Sequence, residues 1–322
     1  MREDLLREAE EDLQEQQRRN EEIQHQRQRE ISRAVPELKE LMARRESLIA
    51  GTLQGILRGE ASPEDLPERM ERTLGEIRGA LKKHGYPEDY LAPVYTCPLC
   101  RDTGYVGETV RERCSCVRKR YQEKLRKAIG LPRDGRESFA RFDLNVFPEE
   151  KQEGSRYTQR EYMAWVRERC EDWANSYPGQ APRDLVLSGK TGLGKTFLLH
   201  AMAERLIERD VQVLLISAYS FLEMARKSYF ENDGELEELT GAQVLMLDDL
   251  GSEPLMQNVT AEQLFNLINE RQRRNLPTVI STNLNQEELR MRYSERISSR
   301  LTDRQSCLFL PLRGKDIRNG RG

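Results

Sequence analysis

Residues Gly189-Lys190-Thr191-Gly192-Leu193-Gly194-Lys195-Thr196 fit G-x-x-x-x-G-K-[ST] at every fixed position, between the apolar runs 185–187 and 197–199. Glycines let main-chain N–H groups turn inward and approach phosphate oxygens closely. A helix starting near Lys195 would aim its positive end at the same point. Lys195 can then reach the β- and γ-phosphates of ATP, and the Thr196 hydroxyl can hold Mg²⁺. A chance glycine-rich turn between strand and helix is the bland alternative. An apolar strand before the loop and an amphipathic helix after it favour the phosphate.

Hydrolysis at such a site needs an acid near the metal. Val244 to Leu247 read as a buried strand, with Asp248 and Asp249 at its C-terminal end, where ligands gather in open parallel sheets. Asp248 is expected to hold Mg²⁺ through water, and Asp249 to orient or deprotonate the attacking water. The run "PTVISTNL" reaches Asn283. A side chain there would lie beside the acidic strand, in reach of the γ-phosphate, although an ordinary strand-to-turn Asn fits as well. Arg296 and Arg300 are four apart and share a helix face. An arginine aimed at a neighbouring subunit's γ-phosphate would stabilise transition-state charge. Arg318 offers a second cation for the nucleotide. Taken singly, each arginine reads better as a surface ion pair.

A second cluster is Cys97, Cys100, Cys114 and Cys116, in the pattern C-x2-C-x13-C-x-C. Four thiolates can hold one tetrahedral Zn²⁺, and a closed shell of this kind is structural. The intervening residues can form a short hairpin with Gly104 and Gly107 at its turns. So small a segment cannot bury a core unaided, which favours zinc over free thiols or a redox pair. Cys170, between Trp165 and Trp173 on an apolar helix face, and Cys307, in the run "CLFLPL", read as core residues.

These groups need elements to position them. Strands are expected at 185–188, 211–217, 243–248 and 277–281, and helices at 195–209, 219–229 and 260–274, after a helix carrying Met163, Trp165, Val166, Cys170 and Trp173. Alternation of this kind predicts an α/β fold, a parallel sheet covered by helices. The N-terminal 95 residues differ. Leu5, Leu6, Ala9 and Leu13 have helical spacing before the stripe thins, and Pro36 breaks or restarts the helix. The stripe returns at Leu38, Leu41, Met42, Leu48, Ile49, Leu53 and Ile56. A third helix takes Ser62 as N-cap and Pro63 at its first position, with Leu66, Met70, Leu74, Ile77 and Leu81 as its apolar face. Gly85 and Pro87 end it. These stripes are too narrow for a thick core and predict a hairpin or coiled-coil arm, either a solvated spacer or a docking surface for a partner. The division is then 1–95 helical arm, 96–121 four-cysteine zinc-binding module, 122–150 basic helix and linker, and 151–322 nucleotide domain.

The 322 residues are 33% charged and 37% hydrophobic, with a formal net charge of −3, so bulk charge points to no partner. Local charge does more: 111–127 and 290–322 each carry an excess of +6. Such stretches attract phosphate backbones, or are solvated basic faces. No apolar run is long enough to span a bilayer, and the charged N-terminus does not read as a secretory signal, so a cytoplasmic location without membrane contact is expected.

The phosphate loop, "LMLDDLGSEP", "VISTNL", "SERISSRL" and the terminal "GKDIR" together resemble the AAA+ ATPases of the bacterial helicase-loader type, the DnaC/DnaI primosomal proteins. The resemblance covers about residues 138–322, and the cysteine segment extends it upstream, because such loaders often carry an N-terminal zinc module. It implies Asn283 as sensor 1, Arg300 as a finger acting on a neighbour in an ATP-bound homo-oligomer, and Arg318 as sensor 2. It also implies contact with single-stranded DNA and binding of a hexameric replicative DNA helicase through the N-terminal region. A transposition helper ATPase, which shares much of this core, and a nucleotide-gated adaptor with little hydrolysis are the alternatives.

Overall fold

Proline cannot continue a helix but starts one well, and Pro36 does so here. The computed structural model describes residues 2–58, 66–107, 109–132, 135–151, 156–231, 235–256 and 259–318. Helix α1 is Arg2–Ala34, and α2, Pro36–Leu57, begins on that proline. Helix α3 is Leu66–Lys83, while the expected cap at Ser62 and Pro63 lies outside the described residues. After α3 the chain turns at Gly85 (φ +78°), a left-handed position that suits glycine, and Tyr86 N–H closes back on Leu81 O at 2.9 Å.

The chain divides into two compact units, Arg7–Val117 and Arg118–Gly322 with Met1–Leu6. In the first, α2 and α3 run antiparallel, with Glu37 on Lys83 (3.0 Å) and Arg44 on Glu76 (3.2 Å). Their seam buries Leu38, Ile77, Ala80 and Leu81, joined by Ile31 and Val35 from the α1–α2 junction. The stripe on α1 does not end at Leu13. Ala9, Leu13, Asn20 and Ile31 are all buried, and the polar member is satisfied. Asn20 Nδ2 donates to Asp102 Oδ2 (2.8 Å) and Thr96 Oγ1 (2.9 Å), so the cysteine segment packs on this helix. Within that segment β1, Tyr105–Val106, pairs antiparallel with β2, Glu112–Arg113, as the expected hairpin.

Helix α4, Ser115–Ala128, carries much of the first basic stretch. Part of that charge is spent internally. Arg126 forms a largely buried pair with Glu204 (2.8 Å), and Arg118 meets Asp210 (3.1 Å).

In the second unit α5, Gln159–Ser176, starts on a Thr158/Glu161 capping box and buries Met163, Val166, Cys170 and Trp173. Trp165 does not share that face as expected. It is 44% exposed and stacks on Tyr162, ring centroids 5.7 Å apart. Five positions of helix turn it about 140° away from Cys170, so the two cannot face one core. The sheet strands and helices then alternate: β3 Asp184–Ser188, α6 Lys195–Glu208, β4 Val213–Ser217, α7 Ala218–Glu231, α8 Glu235–Gly241, β5 Val244–Leu250, α9 Thr260–Arg273, β6 Thr278–Thr282, α10 Gln286–Tyr293, α11 Glu295–Thr302 and β7 Cys307–Pro311. The sheet order is β4-β5-β6-β3-β7, and every neighbouring pair is parallel. Helix α8 and edge strand β7 were not foreseen from the sequence. Cys170 and Cys307 are buried core thiols, as expected.

One buried cation shapes the region between α8 and β6. The Arg271 guanidinium is fully buried on α9 and donates to Pro277 O (2.6 Å), Leu239 O (2.7 Å), Ala242 O (2.9 Å) and Thr278 Oγ1 (3.0 Å). It supplies donors to Leu239 O and Ala242 O at the end of α8 and a second donor to Pro277 O, which also accepts from Leu245 N–H (3.3 Å). Among the described residues, no helix is long and apolar enough to cross a membrane.

Candidate functional site

Strands β5, β6 and β3 are neighbours in a parallel sheet, so the segments leaving their C-terminal ends must meet. The phosphate loop leaves β3, the acidic pair closes β5 and Asn283 follows β6. The loop's shape explains its glycines. Gly194 caps α6 in the left-handed region (φ +84°) without a side-chain cap, which leaves the first N–H groups of the helix available to an anion. Gly192 (φ +78°) has no room for a side chain, because a Cβ there would overlap the Asp316 carboxylate. The terminal segment therefore closes against the loop, and Ile317 N–H donates to Gly192 O at 3.0 Å.

Lys195 is 7% exposed and uses all three donors: on Asn283 Oδ1 (2.6 Å), Gly189 O (2.6 Å) and Lys190 O (2.9 Å). Burial pulls its pKa below that of a free lysine, while Asp249 and Asp248 oppose that shift and Arg318 adds to it. Thr196 Oγ1 donates to the Asp248 carboxylate, 3.1 and 3.2 Å from its two oxygens. Asn283 closes a relay: its amide oxygen accepts from Lys195 and its Nδ2 donates to Asp249 Oδ1.

Adjacent residues on a regular strand point to opposite faces, yet Asp248 and Asp249 line one cavity. A register shift between Leu247 and Leu250 accounts for it. Asp249 takes φ +58°, and its N–H donates to Ser281 Oγ (2.9 Å) while that hydroxyl donates to Asp248. Past the bulge, buried Glu253 accepts from Gly251 N–H (2.8 Å) and from the Tyr293 hydroxyl, which fixes the turn onto α10.

The resulting cavity has a volume of about 420 Å³ and is lined by Thr191, Gly192, Gly194, Lys195, Thr196, Asp248, Asp249, Asn283 and Arg318, all singled out from the sequence. Gly189, Lys190 and Leu193 complete the loop and line the neighbouring recess instead. Arg300 and Arg296 lie elsewhere. Arg300 rests over the Phe265 ring (4.6 Å) with its guanidinium on Asn269 (3.2 Å), and Arg296 is exposed on the same helix. Sequence reasoning missed Glu137, Phe197 and Ile317, which also line the cavity, and Ser281 beneath it. Ser281 could have been found: it stands two residues before Asn283, where strand alternation returns to the same face.

The four cysteines form a separate centre. Their sulfurs lie within 4.8 Å of one another, with Cys97–Cys114 at 3.7 Å and Cys100–Cys116 at 3.5 Å. Zinc–sulfur bonds of about 2.3 Å in a tetrahedron require sulfurs about 3.8 Å apart, so the donor set fits Zn²⁺. Burial raises the Cys114 thiol, but the Cys116 N–H and the neighbouring thiols outweigh it and bring the pKa down to about 7. Burial keeps Cys100 and Cys116 above the usual thiol range. Beneath the centre, the buried Asp102 carboxylate accepts from Cys97 N–H (2.8 Å) and Thr96 N–H (2.9 Å).

Comparison with known proteins agrees with this geometry. Residues 174–318 match the family model described as IstB-like ATP binding protein. The chain is 33% identical over 143 residues to the replicative helicase loader DnaI of Bacillus subtilis (strain 168), which covers 41% of this chain and 45% of that protein. It thus spans less than half the length of that relative. Among solved structures, one of DnaI is 26% identical, covering 58% of this chain and 94% of that one with a TM-score of 0.41. The DnaC helicase loader is 19% identical, covering 53% and 98% with a TM-score of 0.43. The family model and the DnaI relative support the resemblance to DnaC/DnaI-type AAA+ proteins, and the P-loop, acidic strand end and Asn283 lie inside the range 174–318 that the family model matches.

Proposed function

We propose that this chain is a magnesium-dependent ATPase of the helicase-loader type. It would bind a hexameric replicative DNA helicase and deliver it to single-stranded DNA in the cytoplasm, during replication initiation or restart. The observation that supports this most is the convergence of Lys195, Thr196, Asp248, Asp249 and Asn283 on one cavity behind the glycine loop. Loop N–H groups receive the phosphates, and Lys195 exchanges its carbonyl partners for β- and γ-phosphate oxygens. Asp249, set by Asn283 and by its own N–H on Ser281, orients a water for attack on the γ-phosphorus as the bond to ADP breaks. Thr196 and Asp248 would hold Mg²⁺, which when bound draws charge off the phosphates. Arg318 lines the same cavity as a further cation.

Arg300 lines no part of this chain's own cavity, which suits a finger that completes a neighbour's site in an ATP-bound homo-oligomer. The helical arm and a structural Zn²⁺ on Cys97, Cys100, Cys114 and Cys116 supply the helicase contact, and the basic stretches supply the DNA contact. The likeness to a protein named a replicative helicase loader favours this reading over a transposition helper or a nucleotide-gated adaptor. Steady-state phosphate release by the full chain, with and without single-stranded DNA and the helicase of the same cell, tests it. Stimulation by both, and its loss in Arg300→Ala, are expected. Co-purification with a transposase and not with a helicase would refute the loader role.

A further inference from the structure

One acidic group in the nucleotide cavity has no place in phosphate chemistry. Glu137 lines the cavity with Phe197 and Ile317, yet a carboxylate is repelled by a triphosphate. Its position resolves this. Glu137 Oε2 is bonded to His200 Nδ1, and both side chains are partly buried. His200 stands five residues beyond Lys195 on α6, about 7.5 Å further along the helix, so the carboxylate is drawn away from the loop. The segment that carries it is anchored. Phe139 is buried in the 3-10 turn Phe139–Arg141, and Phe142 packs on Phe147 (5.6 Å) and edge-on to Phe197 (5.3 Å). The same two phenyl rings, Phe142 and Phe147, lie against Gly194 of the loop. A held acceptor therefore stands in the same cavity as the phosphate loop, on the side towards His200 and away from Lys195.

We propose that Glu137 reads the ribose of the bound nucleotide, with one oxygen held by His200 and the other accepting a hydrogen bond from the 2′-hydroxyl. A carboxylate is acceptor-only, and a ribose hydroxyl is the donor nearest the phosphates. His200 is a positioning residue. It fixes which way the carboxylate faces and touches no part of the nucleotide. The inference rests on the phosphate-loop reading and adds a selectivity to it: ribonucleotides over deoxyribonucleotides.

Calorimetry of the full chain with Mg²⁺ and ATP, 2′-deoxyATP or GTP tests it. ATP should bind roughly tenfold or more tighter than 2′-deoxyATP, as a lost hydrogen bond to a charged group implies. The ratio should fall towards one in Glu137→Ala, fall partway in Glu137→Gln, and narrow in His200→Ala. Equal binding of ATP and 2′-deoxyATP by the unsubstituted chain would overturn the proposal, as would an unchanged ratio in Glu137→Ala. A variant that alters ATP against GTP instead would show the base being read, and would equally overturn it. Should Glu137→Ala not fold, the unsubstituted ratio and the Glu137→Gln variant still decide. ATP binding without sugar selectivity removes this inference alone; no ATP binding removes the phosphate-loop reading as well.

Discussion

Replacing Asn283 by alanine separates nucleotide binding from hydrolysis. The side chain makes two bonds to charged groups, accepting from Lys195 Nζ at 2.6 Å and donating to Asp249 Oδ1. Lys195 keeps Gly189 O and Lys190 O until phosphates replace them, so its ammonium remains in place. Asp249 fares differently. It occupies a left-handed bulge position, and Asn283 is the side chain that fixes its carboxylate, whereas Ser281 holds only its N–H. Loss of one preorganised donor costs about 100-fold in kcat, which is about 2.7 kcal/mol of barrier. The affinity for ATP should change by less than about threefold, because neither lost bond is made to the nucleotide in the ground state. Single-turnover phosphate release at saturating ATP gives the rate, and calorimetry gives Kd. An unchanged hydrolysis rate in Asn283→Ala, or a loss explained wholly by weaker binding, would refute the role assigned to the relay.

Other consequences follow from the same geometry. Arg271→Met should destabilise the fold by about 3–5 kcal/mol in urea unfolding, because it removes the guanidinium donor from buried Leu239 O and Ala242 O and leaves Pro277 O with Leu245 N–H alone; a change below about 1 kcal/mol would show that water replaces the guanidinium. Chelation of the purified chain should release about one zinc and expose the thiols of Cys97, Cys100, Cys114 and Cys116 to a thiol reagent, while Cys170 and Cys307 stay protected until denaturant is added; a zinc content near zero would remove the metal from the account. The buried Lys195 gives up its proton more readily in the folded chain than in the unfolded one. Its burial cost is therefore fully present below the lowered pKa, and stability gained from it rises with pH through the window up to 10.5. Lys195→Met should remove that contribution, read as the difference between the two unfolding profiles over that window.

What was legible in the sequence was what short spacing dictates. The loop 189–196, the acids after an apolar run and the cysteine pattern are local patterns whose chemistry restricts the residue types. Asn283 was legible because it follows an apolar strand run beside the acidic one, and Arg318 through the "GKDIR" stretch that carries the family resemblance; Ile317 N–H on Gly192 O brings that stretch to the cavity. Contacts made across long stretches of chain were not legible. Asn20 reads as a surface residue on a charged helix, yet Asp102, 82 positions on, makes it part of a core. Glu137 reads as linker until His200 and the phenylalanines fix it. Arg271 looks like one more arginine at a helix end, and only the packing of α8 and β6 turns it inward. Trp165 was misplaced because apolar character was counted without its angle around the helix. Strand β7 was missed because an apolar run before a terminal segment carries no signal of which neighbour it will pair with.

The central claim is that a nucleoside triphosphate binds at residues 189–196, and titration of ATP with Mg²⁺ into the full chain by calorimetry tests it most directly. Saturable binding near one nucleotide per chain, abolished in Lys195→Ala while the fold persists by circular dichroism, is the result expected. No heat from the folded, unsubstituted chain, or equal binding by Lys195→Ala, would contradict it.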